Sequence, residues 1–210
     1  SKIIAVGLCA LFTVTMSSAE DRSMGFFITS VGMGDGANLG GLKGADAHCN
    51  KLATAAGAGN RDWRAYLSTE EDGKRGISAR SRIGNGPWYN AIGNLIATNT
   101  TDLHLYNKTI TLETALDEKG NRIKGRGDKP NEHDILTGSM DDGTAYFPDD
   151  QDHTCNNWTS SAEGSALVGH HDRHGGGNLS WNSAHPSRGC SQEALIKTGG
   201  AGKFYCFAAD

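Results

Sequence analysis

The stretch of the chain that is richest in potential metal ligands runs from Gly169 to His174 and reads Gly-His-His-Asp-Arg-His. It follows residues 166–168, an apolar segment typical of a short strand. If that strand continues, His170, Asp172 and His174 project from one face, because alternate residues of a strand point the same way. Imidazole nitrogens and a carboxylate are suitable ligands for zinc or a similar ion. The spacing therefore predicts a metal site on this face.

His185, in the next segment, is a candidate fourth ligand that would complete a tetrahedral set. Three glycines, residues 175–177, follow the histidine-rich stretch directly, and a flexible loop loses entropy when it holds ligands in place. The alternative is a polar loop in which His170 and Asp172 hydrogen-bond internally. Both interpretations remain open from the sequence.

Signatures of common hydrolases and nucleotide-binding proteins do not occur in the sequence. It contains no Gly-x-Ser-x-Gly, no His-Glu-x-x-His and no phosphate-binding P-loop. A histidine, an aspartate and one of many serines would form a catalytic triad only with a geometry that the sequence does not supply. We therefore expect a binding protein, with a metal-dependent zinc hydrolase that uses the four candidate ligands as the alternative.

An acidic stretch between Met140 and His153 contains five aspartates and no lysine or arginine. The aspartates are Asp141, Asp142, Asp149, Asp150 and Asp152. Carboxylate and backbone oxygens are the ligands that calcium prefers, so calcium is the second candidate ion. The stretch lacks the fixed spacing of an EF-hand, which favours a solvated acidic loop.

A group of basic residues lies earlier in the chain and consists of Arg61, Arg64, Lys74, Arg75, Arg80 and Arg82. Acidic residues dilute the group, namely Asp62, Glu70, Glu71 and Asp72. A mixed-charge solvated face is the simpler interpretation, and a local patch for an anionic ligand is the alternative. Without residues 1–19 the chain has 19 basic and 24 acidic residues, a formal charge of −5. This balance argues against nucleic acid as a partner.

Residues 1–19 have the layout of a secretory signal peptide. Lys2 supplies the positive charge, residues 3–16 form an uncharged apolar run, and small residues lead to cleavage after Ala19. A lipoprotein anchor at Cys9 is the rival, although Leu8 fits poorly before it. We expect a secreted or periplasmic protein that is soluble after cleavage, without a transmembrane segment. Residues 20–210 then form one domain.

Glycine makes up 29 of the 210 residues, which predicts a loop-rich domain with few long helices. The best helix spans residues 45–56, where Cys49, Leu52, Ala53 and Ala56 share one face. Strands are predicted at residues 26–31, 63–67, 166–168 and 204–207. The region from about residue 73 to residue 143 is predicted to consist mostly of turns.

Four cysteines remain once the signal peptide is removed, namely Cys49, Cys155, Cys190 and Cys206. An even number in an exported chain indicates disulfides, and four cysteines allow three connectivities. We favour the nested pairing, Cys49–Cys206 outside and Cys155–Cys190 inside. The outer bridge would tie the predicted helix to the last strand.

The order of these features resembles that of the bacterial endostatin-like proteins, relatives of the collagen C-terminal endostatin domain with a C-type-lectin-like fold. The similarity covers about residues 24–208. It is carried by the four cysteines and by the segments Trp63–Leu67, Gly86-Pro87-Trp88-Tyr89-Asn90, Cys155-Asn156-Asn157-Trp158-Thr159, Gly169-His170, Ser180-Trp181-Asn182, Gly189-Cys190 and Tyr205-Cys206-Phe207. The resemblance implies an α+β domain with nested disulfides and long irregular loops used for binding. Some endostatins bind zinc through N-terminal histidines, so the metal site predicted above is not part of the resemblance.

C-type lectins that bind sugar through calcium use two loop tripeptides, and loosely similar ones occur here. They are Lys129-Pro130-Asn131 and Trp181-Asn182-Ser183. Each has lost a carboxylate, and their separation is too long, so a lectin-type calcium site is disfavoured. The candidate binding residues are Trp158, Trp181, Asn182, His185, Arg61 and Arg64.

Together these observations predict a secreted binding module that recognises a glycan or an extracellular protein, including matrix components, through its loops. A structural component of a cell-surface assembly is a further alternative. Asn99, Asn107, Asn157 and Asn178 begin N-x-S/T sequons, which matter only in a host that glycosylates them.

Overall fold

The structure, a computed structural model, describes residues 21–174 and 179–210. The predicted signal peptide lies outside these residues. The strands in the described part are β1 (Phe26–Ile28), β2 (Trp63–Ala65), β3 (Trp88–Tyr89), β4 (Leu95–Ala97), β5 (Asp134–Leu136), β6 (Leu167–His170), β7 (His185–Pro186) and β8 (Gly200–Ala208). The helices are α1 (Gly41–Ala55) and α3 (Gln192–Thr198), and between them α2 (Cys155–Trp158) is a single left-handed turn with positive φ at all four residues. The predicted mixture of helix and strand is confirmed.

The main sheet is built on β8. The C-terminal half of this strand pairs antiparallel with β1 and β2, so that Phe207 faces both Phe26 and Arg64. Its N-terminal half runs parallel to β5, with Gly200 beside Asp134. The sheet continues from β5 through β6 to β7, each pair antiparallel. Strands β3 and β4 form a separate two-stranded sheet.

Both faces of β8 are buried. Its alternate residues point to opposite sides of the sheet, and each side packs into a core. Phe204, Cys206 and Ala208 belong to the core that packs under α1. Tyr205 and Phe207 belong to the core on the other face. Burying a side chain such as phenylalanine stabilises the fold by about 1.5–3 kcal/mol. The last strand therefore joins two cores, which explains why its apolar pattern is continuous.

Helix α1 begins four residues before the predicted segment 45–56. Its buried face contains Ala45, Cys49 and Ala53, spaced four residues apart. Ala56, predicted on the same face, is exposed and caps the helix. The helix packs against β2 and brings Cys49 to β8, as the sequence predicted.

The nested disulfide pairing is confirmed. Cys49 is bonded to Cys206 and Cys155 is bonded to Cys190. All four cysteines are completely buried. Disulfides persist in oxidising compartments, so this pairing is consistent with an extracellular or periplasmic location. Among the described residues, no helix is both long and apolar enough to cross a membrane.

The region 73–143 consists mainly of turns, as predicted, with single short strands and one turn each of 3-10 helix (Ala79–Ser81) and π-helix (Asp102–Tyr106). It also contains β5, which the sequence analysis did not predict. This strand has only three residues, too few for an alternating pattern, yet it lies between β8 and β6. This position brings the first residue of β5 to the candidate site described below.

Candidate metal centre

Four side chains that suit a metal ion meet where β5, β6 and β7 lie side by side. His133 directly precedes β5, and Asp134 is the first residue of that strand. His170 ends β6 and pairs with Asp134 in the ladder. His185 begins β7, opposite Val168. We call His133, Asp134, His170 and His185 the His–Asp cluster.

The Nε2 atoms of the three histidines surround one oxygen of Asp134. Asp134 Oδ1 lies 3.1 Å from His133 Nε2, 3.2 Å from His170 Nε2 and 3.6 Å from His185 Nε2. The Nε2 atoms of His170 and His185 are hydrogen-bonded to each other at 2.9 Å, so one of the two carries the shared hydrogen until an ion displaces it. In a tetrahedral zinc site with bonds of about 2.0–2.1 Å, neighbouring ligand atoms lie about 3.3 Å apart. Ligand atoms of His133, Asp134 and His170 all lie within 4.8 Å of one another, a spacing that suits one ion, whereas His185 approaches only Asp134 and His170.

The orientations of the imidazole rings differ within the cluster. The rings of His170 and His185 cross at 63°, with their Nε2 atoms directed at each other. The rings of His133 and His170 instead stack, with centroids 4.2 Å apart and planes 13° apart. Stacked rings direct their nitrogens along nearly parallel lines. An ion bound by both would therefore require one of these rings to tilt.

Acceptors outside the cluster determine which nitrogen of two histidines carries hydrogen. His133 Nδ1 lies 3.2 Å from Asp172 Oδ1, and His185 Nδ1 lies 3.0 Å from the carbonyl oxygen of Pro186. A carboxylate or a carbonyl only accepts, so each Nδ1 donates and, in the neutral ring, Nε2 keeps its lone pair. Metal-binding histidines usually have such an acceptor on the other nitrogen. Both rings are therefore arranged as metal ligands.

Asp134 is exceptional among the buried carboxylates. The described residues contain five, namely Asp46, Asp117, Glu118, Asp134 and Asp172. Four accept hydrogen bonds from backbone or side-chain donors. Neither oxygen of Asp134 accepts one from any described residue, although imidazole nitrogens lie close to Oδ1. A buried anion without a hydrogen-bond donor costs several kcal/mol unless a cation compensates it.

The cluster is closed on one side and borders solvent on the other. His133, Asp134 and His170 are 5, 3 and 1 % exposed. The side chain of His185 is 38 % exposed. An ion bound among the first three residues would therefore be shielded from water everywhere except near His185.

Asp172 lies behind His133 and orients it. Burial by itself would raise the pKa of Asp172, but hydrogen bonds from His133 and from the backbone N–H groups of Arg126 and His174 hold that pKa well below its usual range. Asp172 is therefore ionised at neutral pH. Burial also lowers the pKa of His171 to about 4, so this ring is neutral.

Gly199 leaves space for the cluster, and Gly169 allows a neighbouring backbone segment to approach β6. Gly199 has φ of 134°, and a Cβ there would stand 3.1 Å from Asp134 Oδ2. Gly169 precedes His170, and a Cβ there would stand 1.8 Å from the backbone oxygen of Trp181. Any larger residue at position 169 would displace the backbone of Trp181 and Asn182, which lies against β6.

A comparison with protein-family models and with curated proteins found no match for the chain. The chemistry is therefore inferred from the geometry alone. Three imidazoles and a carboxylate can bind a transition metal, and an ion bound there could polarise a ligand that enters beside His185.

The structure corrects the predicted arrangement of the ligands. Strand β6 ends at His170 and a turn follows, so His170, Asp172 and His174 do not alternate on one strand face. Asp172 orients His133 instead of joining the cluster. His174 is exposed. The glycines at 175–177 lie outside the described residues.

The sequence analysis missed His133 and Asp134. The available signal was a His-Asp pair directly before Ile135 and Leu136, a polar pair at the start of a short apolar run. Such a pair is common, and its importance arises only from the pairing of β5 with β6.

Three of the predicted binding residues are interior. Trp158 is completely buried and donates from Nε1 to the carbonyl oxygen of Ser68. Trp181 is 4 % exposed and belongs to the second core. Asn182 is 1 % exposed and donates to Tyr66 Oη and to two backbone carbonyls. These side chains stabilise the fold and do not face solvent, whereas His185 does in part.

The basic residues are largely paired. Arg61 contacts Asp210, and Arg64 contacts both Asp46 and Asp62. Arg82 also binds Asp46. This agrees with the mixed-charge interpretation and leaves Arg61 and Arg64 engaged with carboxylates.

The acidic stretch divides between two places. Asp149, Asp150 and Asp152 line a cleft of about 750 Å³ together with residues 70–72. Asp142 instead accepts hydrogen bonds from Thr144 within its own turn. In the described part of the chain, no three of these aspartates approach closely enough to share one ion.

The lectin-like tripeptides and the sequons are engaged in local structure. Asn131 Oδ1 accepts from the backbone of His133, next to the cluster. Asn107 and Asn157 donate from Nδ2 to backbone carbonyls, whereas Asn99 is exposed. Asn178 lies outside the described residues.

Proposed function

We propose that the protein is an extracytoplasmic binding module that holds a transition metal ion, zinc being the best match, in the His–Asp cluster. The observation that carries the proposal is the buried Asp134 carboxylate, which accepts no hydrogen bond from the described residues and is faced by three imidazoles. A divalent cation would compensate the charge and use the nitrogen lone pairs.

The ligand types favour a transition metal over calcium or magnesium. Calcium and magnesium take mainly oxygen ligands, whereas imidazole suits zinc, copper, iron and nickel. Two histidines with one carboxylate also suit ferrous iron. Metal competition distinguishes these ions from zinc.

The partner of the module is proposed to be a glycan or an extracellular protein, bound through the loops. The support is the confirmed nested disulfide pairing together with the sequence resemblance to endostatin-like and C-type-lectin-like domains. A purely structural role in a cell-surface assembly would require neither the metal nor a ligand.

A metal-dependent hydrolase is the second candidate, favoured by the partial exposure of His185. In such an enzyme a metal-bound water is the nucleophile, and it needs access from solvent. Turnover of ester or peptide substrates only by the metal-loaded protein would support this alternative.

Metal analysis of the purified protein tests the proposal. After dialysis against a chelator, the protein is titrated with zinc, ferrous iron and calcium. The heat of binding is measured by calorimetry, and the Tm is measured by thermal unfolding. We expect one equivalent of zinc and a higher Tm. Asp134→Asn and His170→Ala should weaken zinc binding by about 100-fold or more, because each removes a ligand.

His174→Ala is the matched control, because His174 is a neighbouring but exposed histidine. It should bind zinc as the unmodified protein does. The proposal is wrong if zinc does not bind in stoichiometric amount, or if His174→Ala weakens binding as much as Asp134→Asn.

A further inference from the structure

His185 is held less firmly than the other members of the His–Asp cluster. Its side chain is 38 % exposed, and its Nε2 atom is the farthest of the three from Asp134 Oδ1, at 3.6 Å. Its ring nitrogen Nδ1 donates only to Pro186, the next residue. His133 is instead anchored by Asp172, a carboxylate 39 residues away that is itself held by two backbone N–H groups.

The position of β7 adds to this difference. Strand β7 has two residues and lies at the end of the sheet, paired with β6 alone. Strands β5 and β6 each have neighbours on both sides. His185 therefore projects from the least constrained strand of the site, where a change of side-chain rotamer breaks two hydrogen bonds, one to His170 Nε2 and one to the carbonyl oxygen of Pro186.

The three buried members form a ligand set without His185. His133, Asp134 and His170 each offer an atom within 4.8 Å of the other two. Three protein ligands are typical of zinc sites that keep one position for an exogenous molecule, whereas closed structural sites use four. The cluster thus has three inner ligands and one outer ligand.

The charge of the inner ligands determines which molecule would complete the site. Two neutral imidazoles and one carboxylate neutralise one of the two charges of a divalent ion. The open position would therefore favour an anionic donor over a neutral one. A carboxylate provides a negatively charged oxygen and is small enough to enter beside a displaced imidazole.

We propose that His185 is an exchangeable ligand, and that the metal takes a carboxylate of the bound partner at the position which His185 covers. This inference rests on the proposed metal centre. Under this proposal the ion binds the partner directly, whereas a purely structural ion would only stabilise the fold. The carboxylate can come from an acidic sugar or from an aspartate or glutamate side chain of a protein.

Cobalt substitution tests the inference, because the visible absorption of Co²⁺ reports changes among its ligands. The cobalt-loaded protein is titrated with acetate, and with acetamide as the neutral control of the same size. We expect a saturable spectral change with acetate and none with acetamide. Glucuronate and N-acetylaspartate are then compared, and the tighter of the two identifies the sugar or the protein source.

The variant His185→Ala provides the second arm. It should still bind cobalt, with an affinity about 10–100-fold lower than that of the unmodified protein, since the inner ligands remain. Because the position is already open, it should bind acetate about 10-fold more tightly than the unmodified protein. Added imidazole should restore the original spectrum by replacing the missing ring.

Two results would overturn the inference while leaving the metal centre intact. One is cobalt binding with a spectrum that acetate does not change in either protein. The other is a His185→Ala variant that loses cobalt as completely as Asp134→Asn, which would make His185 an integral ligand. Failure of the unmodified protein to bind cobalt or zinc at all would instead refute the proposed function itself.

Discussion

At Asp134 a buried carboxylate meets three imidazole nitrogens without accepting a hydrogen bond from any described residue. Asp117 is a useful contrast, because it is buried to a similar extent and accepts hydrogen bonds from the backbone of Lys119 and Asn121. The two aspartates have the same charge and opposite surroundings. Substitution of each by asparagine should therefore have opposite effects.

In the absence of metal, Asp134→Asn should raise the free energy of unfolding by about 1–3 kcal/mol. The substitution removes an uncompensated buried charge, and its amide can donate to the lone pairs of the neighbouring Nε2 atoms. Urea denaturation in the presence of a chelator measures the change. Added zinc should no longer stabilise this variant.

The matched substitution Asp117→Asn should lower the free energy of unfolding by about 1–3 kcal/mol, because it replaces an acceptor of charge-assisted hydrogen bonds. The same urea experiment applies, and zinc should still stabilise this variant. Equal losses in both variants would contradict the assignment of Asp134 as an uncompensated anion.

At the scale of elements, the junction of α3 and β8 shapes the site. Gly199 follows α3 with φ of 134°, a backbone conformation that side chains strongly disfavour. Its carbonyl accepts from the backbone N–H of Asp134, and a Cβ would meet Asn131 at 2.9 Å as well as Asp134. The helix end thus positions the start of β5.

Gly199→Ala should destabilise the protein by about 1–3 kcal/mol through backbone strain and should weaken zinc binding by displacing Asp134. Thermal unfolding and zinc titration measure the two effects. Gly127→Ala is the control, because a Cβ there meets nothing within 4 Å and φ is not in the left-handed region. It should change stability by less than about 0.5 kcal/mol. Similar results for both variants would show that position 199 does not constrain the site.

The elements also show where local sequence patterns suffice. The apolar face of α1 and the continuous apolar run of β8 predicted their existence, because packing against a core leaves a periodic record in the chain. Strands β5 and β7 have three and two residues and leave no such record. They form because β8 and β6 supply hydrogen-bonding edges for them.

At the scale of the whole molecule, the two disulfides have different tasks. Cys49–Cys206 closes a separation of 157 residues and joins α1 to β8. Cys155–Cys190 closes 35 residues and brackets both His170 and His185. In the chain-entropy model these loops are worth at most about 5 and about 4 kcal/mol.

Removal of each bridge by paired alanine substitutions should separate stability from metal binding. The variant without Cys49–Cys206 should lose more stability but keep its zinc affinity while folded. The variant without Cys155–Cys190 should lose less stability and bind zinc more weakly, because the bridge links the segment before β6 to the segment after β7. Denaturation and zinc titration measure both, and a reversed pattern would contradict the assignment of the inner bridge to the site.

The sequence by itself predicted the mixture of helix and strand, a framework of two disulfides and three of the residues around the site, namely His170, Asp172 and His185. It favoured the nested pairing among three connectivities, and the structure established it. The sequence could make these predictions because cysteine number, apolar periodicity and local composition are properties of neighbouring residues. It predicted a role as a metal ligand for Asp172, which instead orients His133.

Only the tertiary structure decided which side chains meet. His133 and Asp134 join the cluster through the pairing of β5 with β6 and β8. Asp172 lies in the turn after β6, where the backbone N–H groups of Arg126 and His174 donate to its carboxylate. Contacts between residues 39 positions apart depend on how the whole sheet assembles. Local spacing cannot encode them, since a single turn at the end of β6 redirects every side chain that follows.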